Sequence, residues 1–91
     1  MWEVPDPDGR TVVLAFGRWR HIVEKHATLR RRRAEVLLAV SDPEDRIPGR
    51  RPSEEFFYGR ATPPERWIKV VVHFEGSRGH IVTAFPRRWI P

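Results

Sequence analysis

Two histidines five residues apart, His21 and His26, lie in the stretch GRWRHIVEKH. Imidazole is the side chain best suited to moving protons near neutral pH, so the pair is a candidate general acid and base. Metal ligands on one helix use spacings of three or four residues, whereas a spacing of five sets two rings about 140° apart around the helix. Proton transfer is therefore the chemistry suggested here, and metal ligation is not. Further along, Lys69 and His73 alternate with Trp67 and Val71 in WIKVVVHF, Thr83 stands in HIVTAF, and Tyr58 precedes Gly59-Arg60. A lysine, a hydroxyl and histidines on one surface would supply the charge and orientation that a reacting phosphate ester needs.

Composition points to a polyanionic partner. The 91 residues carry 17 Lys+Arg against 12 Asp+Glu, a formal charge of +5, and the pI is near 11.0. Such a balance fits nucleic acid, an acidic protein or an anionic surface. Arg30 to Arg33 form the densest run, where phosphate contact and a merely solvated face both stand open. Cations at the start of a helix oppose its dipole, so helix stability does not explain them. Arg50, Arg51, Arg60, Arg87 and Arg88 would extend the patch if the fold gathers them. With no cysteine there is no disulfide framework and no thiolate zinc site. The first 30 residues lack the apolar core of a signal peptide, and no apolar run reaches membrane-spanning length. The expectation is a single soluble cytoplasmic domain over 1–91, with no membrane contact.

The residues that must hold these groups read as a hairpin, two helices and a three-stranded meander. Trp2 to Val4 and Thr11 to Phe16 predict strands around the turn Pro5-Asp6-Pro7-Asp8-Gly9. Gly17 breaks that pattern before a helix from Arg18 to His26, in which Trp19, Ile22, Val23 and His26 share a face. A second helix is expected from about Leu29 to Val40, with Leu29, Val36, Leu37 and Val40 inward and Thr28 as its cap. Ser41-Asp42-Pro43 stops it. Glu44 to Glu54 reads as an exposed loop, Phe56 to Tyr58 as a short strand, and Ala61 to Glu65 as a second loop. Trp67 to Phe74 and His80 to Phe85 are the clearest strands, joined through Gly76-Ser77-Arg78-Gly79, with Pro86 ending the last. The fold class is α+β: two helices on one face of a small twisted antiparallel sheet of about four to five strands, the other face free for a ligand.

Several side chains keep two readings. Along 67–74, Ile68, Val70, Val72 and Phe74 form one row and Trp67, Lys69, Val71 and His73 the other. Thr83 joins the Lys69 row if Phe74 pairs with His80, and faces the core if Phe74 pairs with Ile81. His26, at the sheet-facing end of its helix, either packs there or opens onto a cleft. His21 falls nearer Arg18 and Lys25 on a basic face. The Tyr58 hydroxyl either meets a phosphate or packs.

The order of these pieces carries a resemblance. Trp19-Arg20-His21-Ile22 with His26, a helix ending in Asp42-Pro43, Phe57-Tyr58, Ile68-Lys69-Val70-Val71-Val72 and Ile81-Val82-Thr83-Ala84-Phe85 follow one another. From roughly Gly17 to Phe85 the chain resembles the small phage- and toxin-associated nuclease-like domains of the barnase–EndoU–colicin–RelE fold group. Ala27-Thr28 departs from it, standing where a proline and an acidic residue are expected. The resemblance implies an endoribonuclease that needs neither metal nor cofactor, acting on RNA by 2′-OH attack. His21 and His26 match its helical histidines and Thr83 its final-strand threonine, with Lys69 and Tyr58 matched by strand position. In that scheme the histidines move protons, Lys69 and arginines hold the phosphate, and Thr83 or Tyr58 orients it. Arg30, Arg31, Arg51, Arg60, His73, Arg87 and Arg88 would contact the nucleic acid. An acidic antitoxin or immunity protein would be the protein partner. The rival expectation is a non-catalytic basic module that binds nucleic acid or an acidic protein. Of the two histidines, His26 is the stronger candidate because it ends the helix on the sheet side.

Overall fold

In the computed structural model, which describes all 91 residues, β1 (Trp2–Pro5) and β2 (Thr11–Leu14) form the opening hairpin. Next come α1 (Phe16–Lys25), a single 3-10 turn (Ala27–Leu29) and α2 (Arg33–Ser41). Four strands follow: β3 (Asp45–Pro48), β4 (Glu54–Arg60), β5 (Trp67–Glu75) and β6 (Arg78–Arg87). They make one six-stranded sheet in the order β1-β2-β6-β5-β4-β3. All neighbours are antiparallel except β2 and β6, which run parallel through Thr11–Arg78, Val12–Gly79 and Val13–His80. The class is α+β as expected, but the sheet is larger than four to five strands and is mixed.

One row of each strand meets the helices. Val12, Leu14, Phe57, Ile68, Val70, Val72, Phe74, Ile81 and Ala84 share a single core with Ile22, Leu29, Val36, Ala39 and Val40. Gly59 of β4 lets α2 come this close, because a Cβ there would sit 2.6 Å from Ala39 Cβ and 2.8 Å from its Cα. Beyond the helices, the β1–β2 turn closes the same face with charge. The fully buried Asp6 carboxylate accepts from the Asp8 and Arg10 backbone N–H groups at 3.1 and 2.8 Å and from Arg10 Nε at 2.8 Å. Arg10 in turn pairs with Glu55 at 2.8 Å and lies 3.5 Å from the centre of the Phe74 ring. Arg46 of β3 joins through Asp8 and Glu55. Its guanidinium holds the Asp8 carboxyl below the usual carboxylate range.

Four local expectations are corrected. Gly17 does not precede α1 but lies in its first turn. The second helix begins at Arg33, with Thr28 in the separate 3-10 turn and no side chain capping α2. Arg32 sits in that junction with a non-helical backbone, and its guanidinium reaches across to the carbonyl oxygens of Thr62 and Pro63. The 44–54 segment is no simple loop, because Asp45–Pro48 pairs with Glu55–Tyr58. Nor does Pro86 end β6. It pairs with Ile68 on the one side where β6 has a neighbour there, since β2 reaches only to His80, and proline is tolerated where no ladder N–H is needed. No helix is long and apolar enough to cross a membrane.

Candidate functional site

The face of the sheet turned away from the helices is ordered by β5 and β6. The turn at Gly76-Ser77, with Gly76 at φ +61°, brings Glu75 opposite Arg78, Phe74 opposite Gly79 and His73 opposite His80. Glycine in the first central position is what a tight type II′ hairpin turn requires. Neither of the two expected registers therefore holds at the turn. One residue later Val72 pairs with Ile81 but Val71 pairs with Thr83, so Val82 is an extra residue, a β-bulge. The bulge changes the parity of β6. His80 and Thr83, three residues apart, consequently share the open face, which simple alternation forbids. From the turn outward the paired rows on that face are His73–His80, Val71–Thr83, Lys69–Phe85 and Trp67–Arg87.

Lys69 stands in the middle. Its Nζ lies 3.7 Å from the centre of the Phe56 ring, 5.5 Å from Phe85 and 5.8 Å from Tyr58. The ring faces attract the ammonium while the same rings remove its water. Burial pushes the Lys69 pKa below that of an ordinary lysine, and the positive charges of Arg87 and Arg50 push it the same way against a weaker pull from Glu54. Tyr58 is buried, and burial raises its hydroxyl pKa, aided by Asp45 and opposed by Arg87. It therefore packs against Lys69 as a neutral phenol, the second of its two expected readings.

His26 reaches this region from the end of α1. It is the C-terminal cap, its backbone N–H donating to the Ile22 carbonyl oxygen at 2.8 Å. Its half-buried ring is 5.7 Å from the Phe85 ring, tilted by 35°. Phe85, next in its row to Thr83, is thus a neighbour of both His26 and Lys69. His73 and His80, ring centres 5.3 Å apart, form the neighbouring row, with the Glu75 carboxylate 3.7 Å from His73 Nε2. His80 is a site candidate that sequence reasoning missed: its place opposite His73 is set by the tight turn at Gly76-Ser77, a register that differs from both expected pairings.

Other expected residues are not brought here. His21 is exposed on α1, and no contact ties it to the open face. Arg30 and Arg31 are exposed in the junction between the 3-10 turn and α2, where they line a depression of about 370 Å³ in the helix layer. The arginine run is divided, because Arg32 is bonded to the β4–β5 loop and Arg33 stacks 4.2 Å from the Trp2 ring centre. Arg51 is exposed in the β3–β4 turn. Arg60, by contrast, is the cross-strand partner of Trp67 and belongs to the open face, where it stacks 5.0 Å from the Trp67 ring centre and donates to Glu44 at 3.1 Å. Arg87, opposite Trp67, does belong to the open face, whereas Arg88 lies past the end of β6.

The arrangement offers an imidazole at the edge (His26), a partly desolvated cation (Lys69), a hydroxyl (Thr83) and two further imidazoles in the row beyond Thr83. No group of three or more His, Cys, Asp or Glu side chains is placed to hold a metal ion. Comparison with protein-family models, with curated proteins and with solved structures gives no match for this chain.

Proposed function

We propose that the protein is a metal-independent endoribonuclease of the toxin type, with its reaction centre on the open sheet face. The observation that carries this is the shared row system, in which the partly desolvated Lys69 ammonium lies 5.5 Å and the His26 ring 5.7 Å from the Phe85 ring, with Thr83 next to Phe85 along the open row of β6. In the reaction, a base removes the 2′-OH proton and the 2′ oxygen bonds to phosphorus. The P–O5′ bond then breaks and an acid delivers a proton to O5′, leaving a 2′,3′-cyclic phosphate and a 5′-hydroxyl. His26 is one of the two proton-transfer groups, and a water molecule takes the other role, because His80 stands two rows from Phe85. Lys69 stabilises the negative charge that gathers on the phosphorane, more strongly than in water because its surroundings are apolar. Thr83 donates to a non-bridging oxygen. Arg87 and Arg50, the cations acting on Lys69, hold the flanking phosphate.

A second reading draws on a specific feature. A depression of about 420 Å³, lined by Met1, Val13, Glu75, Arg78, Gly79 and His80, meets this face only at its turn end and does not include Lys69. A flat basic face with aromatic side chains also suits a non-catalytic RNA-binding module. Incubation of a single-stranded RNA oligonucleotide with the protein in EDTA separates the two. Scission that fails in His26→Ala supports the enzyme. Salt-sensitive retention of intact RNA by both proteins supports the binding module.

A further inference from the structure

The end of the sheet beyond the Trp67–Arg87 pair carries a second group of residues. Trp89 is the most exposed of the large hydrophobic side chains, at 69%. With Pro64, Arg66 and Arg88 it lines a depression of about 280 Å³. None of Arg66, Arg87 and Arg88 makes an ion pair, whereas Arg10, Arg32, Arg46, Arg60 and Arg78 each have a carboxylate. The far wall is held in place. The Thr62 N–H and hydroxyl donate to the two Glu35 oxygens at 2.7 and 3.0 Å, Arg32 donates to the Thr62 and Pro63 carbonyl oxygens, and the Ala61 N–H donates to the Arg66 carbonyl at 3.0 Å. Two bonds to Glu35 of α2 and two from Arg32 just before it hold the loop that carries Pro64 and Arg66.

A solvent-facing indole beside unpaired guanidinium groups offers stacking and charge together. Those are the two needs of an unpaired nucleotide, whose base has an accessible face and whose phosphate is anionic. A duplex hides its base faces and would gain only the charge. We propose that Trp89, Arg66 and Arg88 form a single-stranded RNA subsite, with a base on Trp89 and the adjoining phosphate between the two arginines. Arg66 and Arg88 flank β5 and β6, one residue outside each, and are three residues in the chain from Lys69 and Phe85, at most about 10 Å at the rise of an extended chain. The subsite thus takes the nucleotides that flank the bond placed at Lys69, and in naming the substrate as single-stranded it rests on the ribonuclease reading.

The test uses the full chain and a fluorescently labelled ten-nucleotide RNA with 2′-O-methyl groups, which cannot be cut by 2′-OH attack, together with the matching duplex. Trp89→Ala is expected to weaken binding of the single strand about tenfold, the size of one lost base stack, and to leave duplex binding unchanged. Trp89→Phe retains a stacking face and recovers most of that loss. Arg66→Gln and Arg88→Gln each lower the steepness of log K against log salt by roughly one phosphate contact. Unchanged single-strand affinity in Trp89→Ala, with an unchanged circular dichroism spectrum, overturns the subsite. Equal losses for single strand and duplex overturn it too, as does tighter binding of an acidic peptide than of RNA. The cleavage reading is judged separately, by scission of unmodified RNA in wild type and His26→Ala. If His26→Ala cuts normally, that reading falls while the Trp89 result stands.

Discussion

Lys69 owes its character to its neighbours more than to its own chemistry. Three aromatic rings and two arginines surround an ammonium that would otherwise be fully hydrated, and its pKa falls below the ordinary lysine value. The consequence for rate and the consequence for stability run in opposite directions. Under the ribonuclease proposal a protonated Lys69 serves the phosphorane, so cleavage is expected to decline on the alkaline side earlier than an ordinary lysine would impose. Lys69→Arg, whose charge persists, carries activity further into the alkaline range in a pH–rate profile. For folding, the unfolded chain holds this proton more tightly than the native one. The burial cost is therefore present in full below the folded pKa, and stability rises with pH between the folded and the ordinary value. Chemical denaturation as a function of pH reads that slope, and Lys69→Gln removes it. The two histidines are unequal in the same environmental sense. His26→Ala is expected to lower cleavage by about 10²–10⁴, the worth of a general acid or base, whereas His21→Ala stays near wild type. That inequality was legible in the sequence, because a 140° offset cannot bring both rings to one side of a helix.

At the scale of elements, the β5 rows follow from strict alternation, and Lys69 and His73 fall on the open face as Trp67-Ile68-Lys69-Val70 suggests. The facing of Thr83 does not follow, because it is decided by one extra residue, Val82, and a bulge has no signature in a hydrophobic run. Cross-strand nuclear Overhauser effects test it. Contacts between the Hα protons or side chains of Val71 and Thr83, together with His73 and His80, are expected, whereas a Val71–Val82 pairing would contradict the register. β3 was hidden for another reason. Asp45-Arg46-Ile47-Pro48 has an edge strand's composition, in which charge and proline block further pairing, and such a segment reads as loop. Its charges also serve the turn that closes the core. Asp6→Ala is expected to cost about 1–3 kcal/mol in thermal or chemical unfolding, because it leaves the Asp8 and Arg10 N–H groups without their acceptor while Arg10 keeps Glu55. At the α2–β4 approach, Gly59→Ala drives a methyl into Ala39 and is expected to cost about 1–3 kcal/mol by the same measurement.

The unpaired basic side chains of the molecule fall on two surfaces. The helix layer carries Arg30 and Arg31, while the sheet face and its end carry Arg50, Arg87, Arg66 and Arg88 around Lys69. The division was invisible in the sequence, since no local pattern reports that β2 docks in parallel on β6, a pairing between segments far apart in the chain. Composition revealed the charge but not its placement. Binding of single-stranded RNA is expected to lose roughly one unit of salt dependence in Arg87→Gln and none in Arg30→Gln, measured by anisotropy over a range of salt concentrations. The most direct test of the ribonuclease proposal is a DNA oligonucleotide containing a single ribonucleotide, incubated with the protein in EDTA and analysed by mass spectrometry. Cutting only at the ribonucleotide, with a 2′,3′-cyclic phosphate and a 5′-hydroxyl as products and loss of both in His26→Ala, is the predicted result. Intact oligonucleotide, cutting at deoxyribonucleotides, or undiminished cutting by His26→Ala would contradict it.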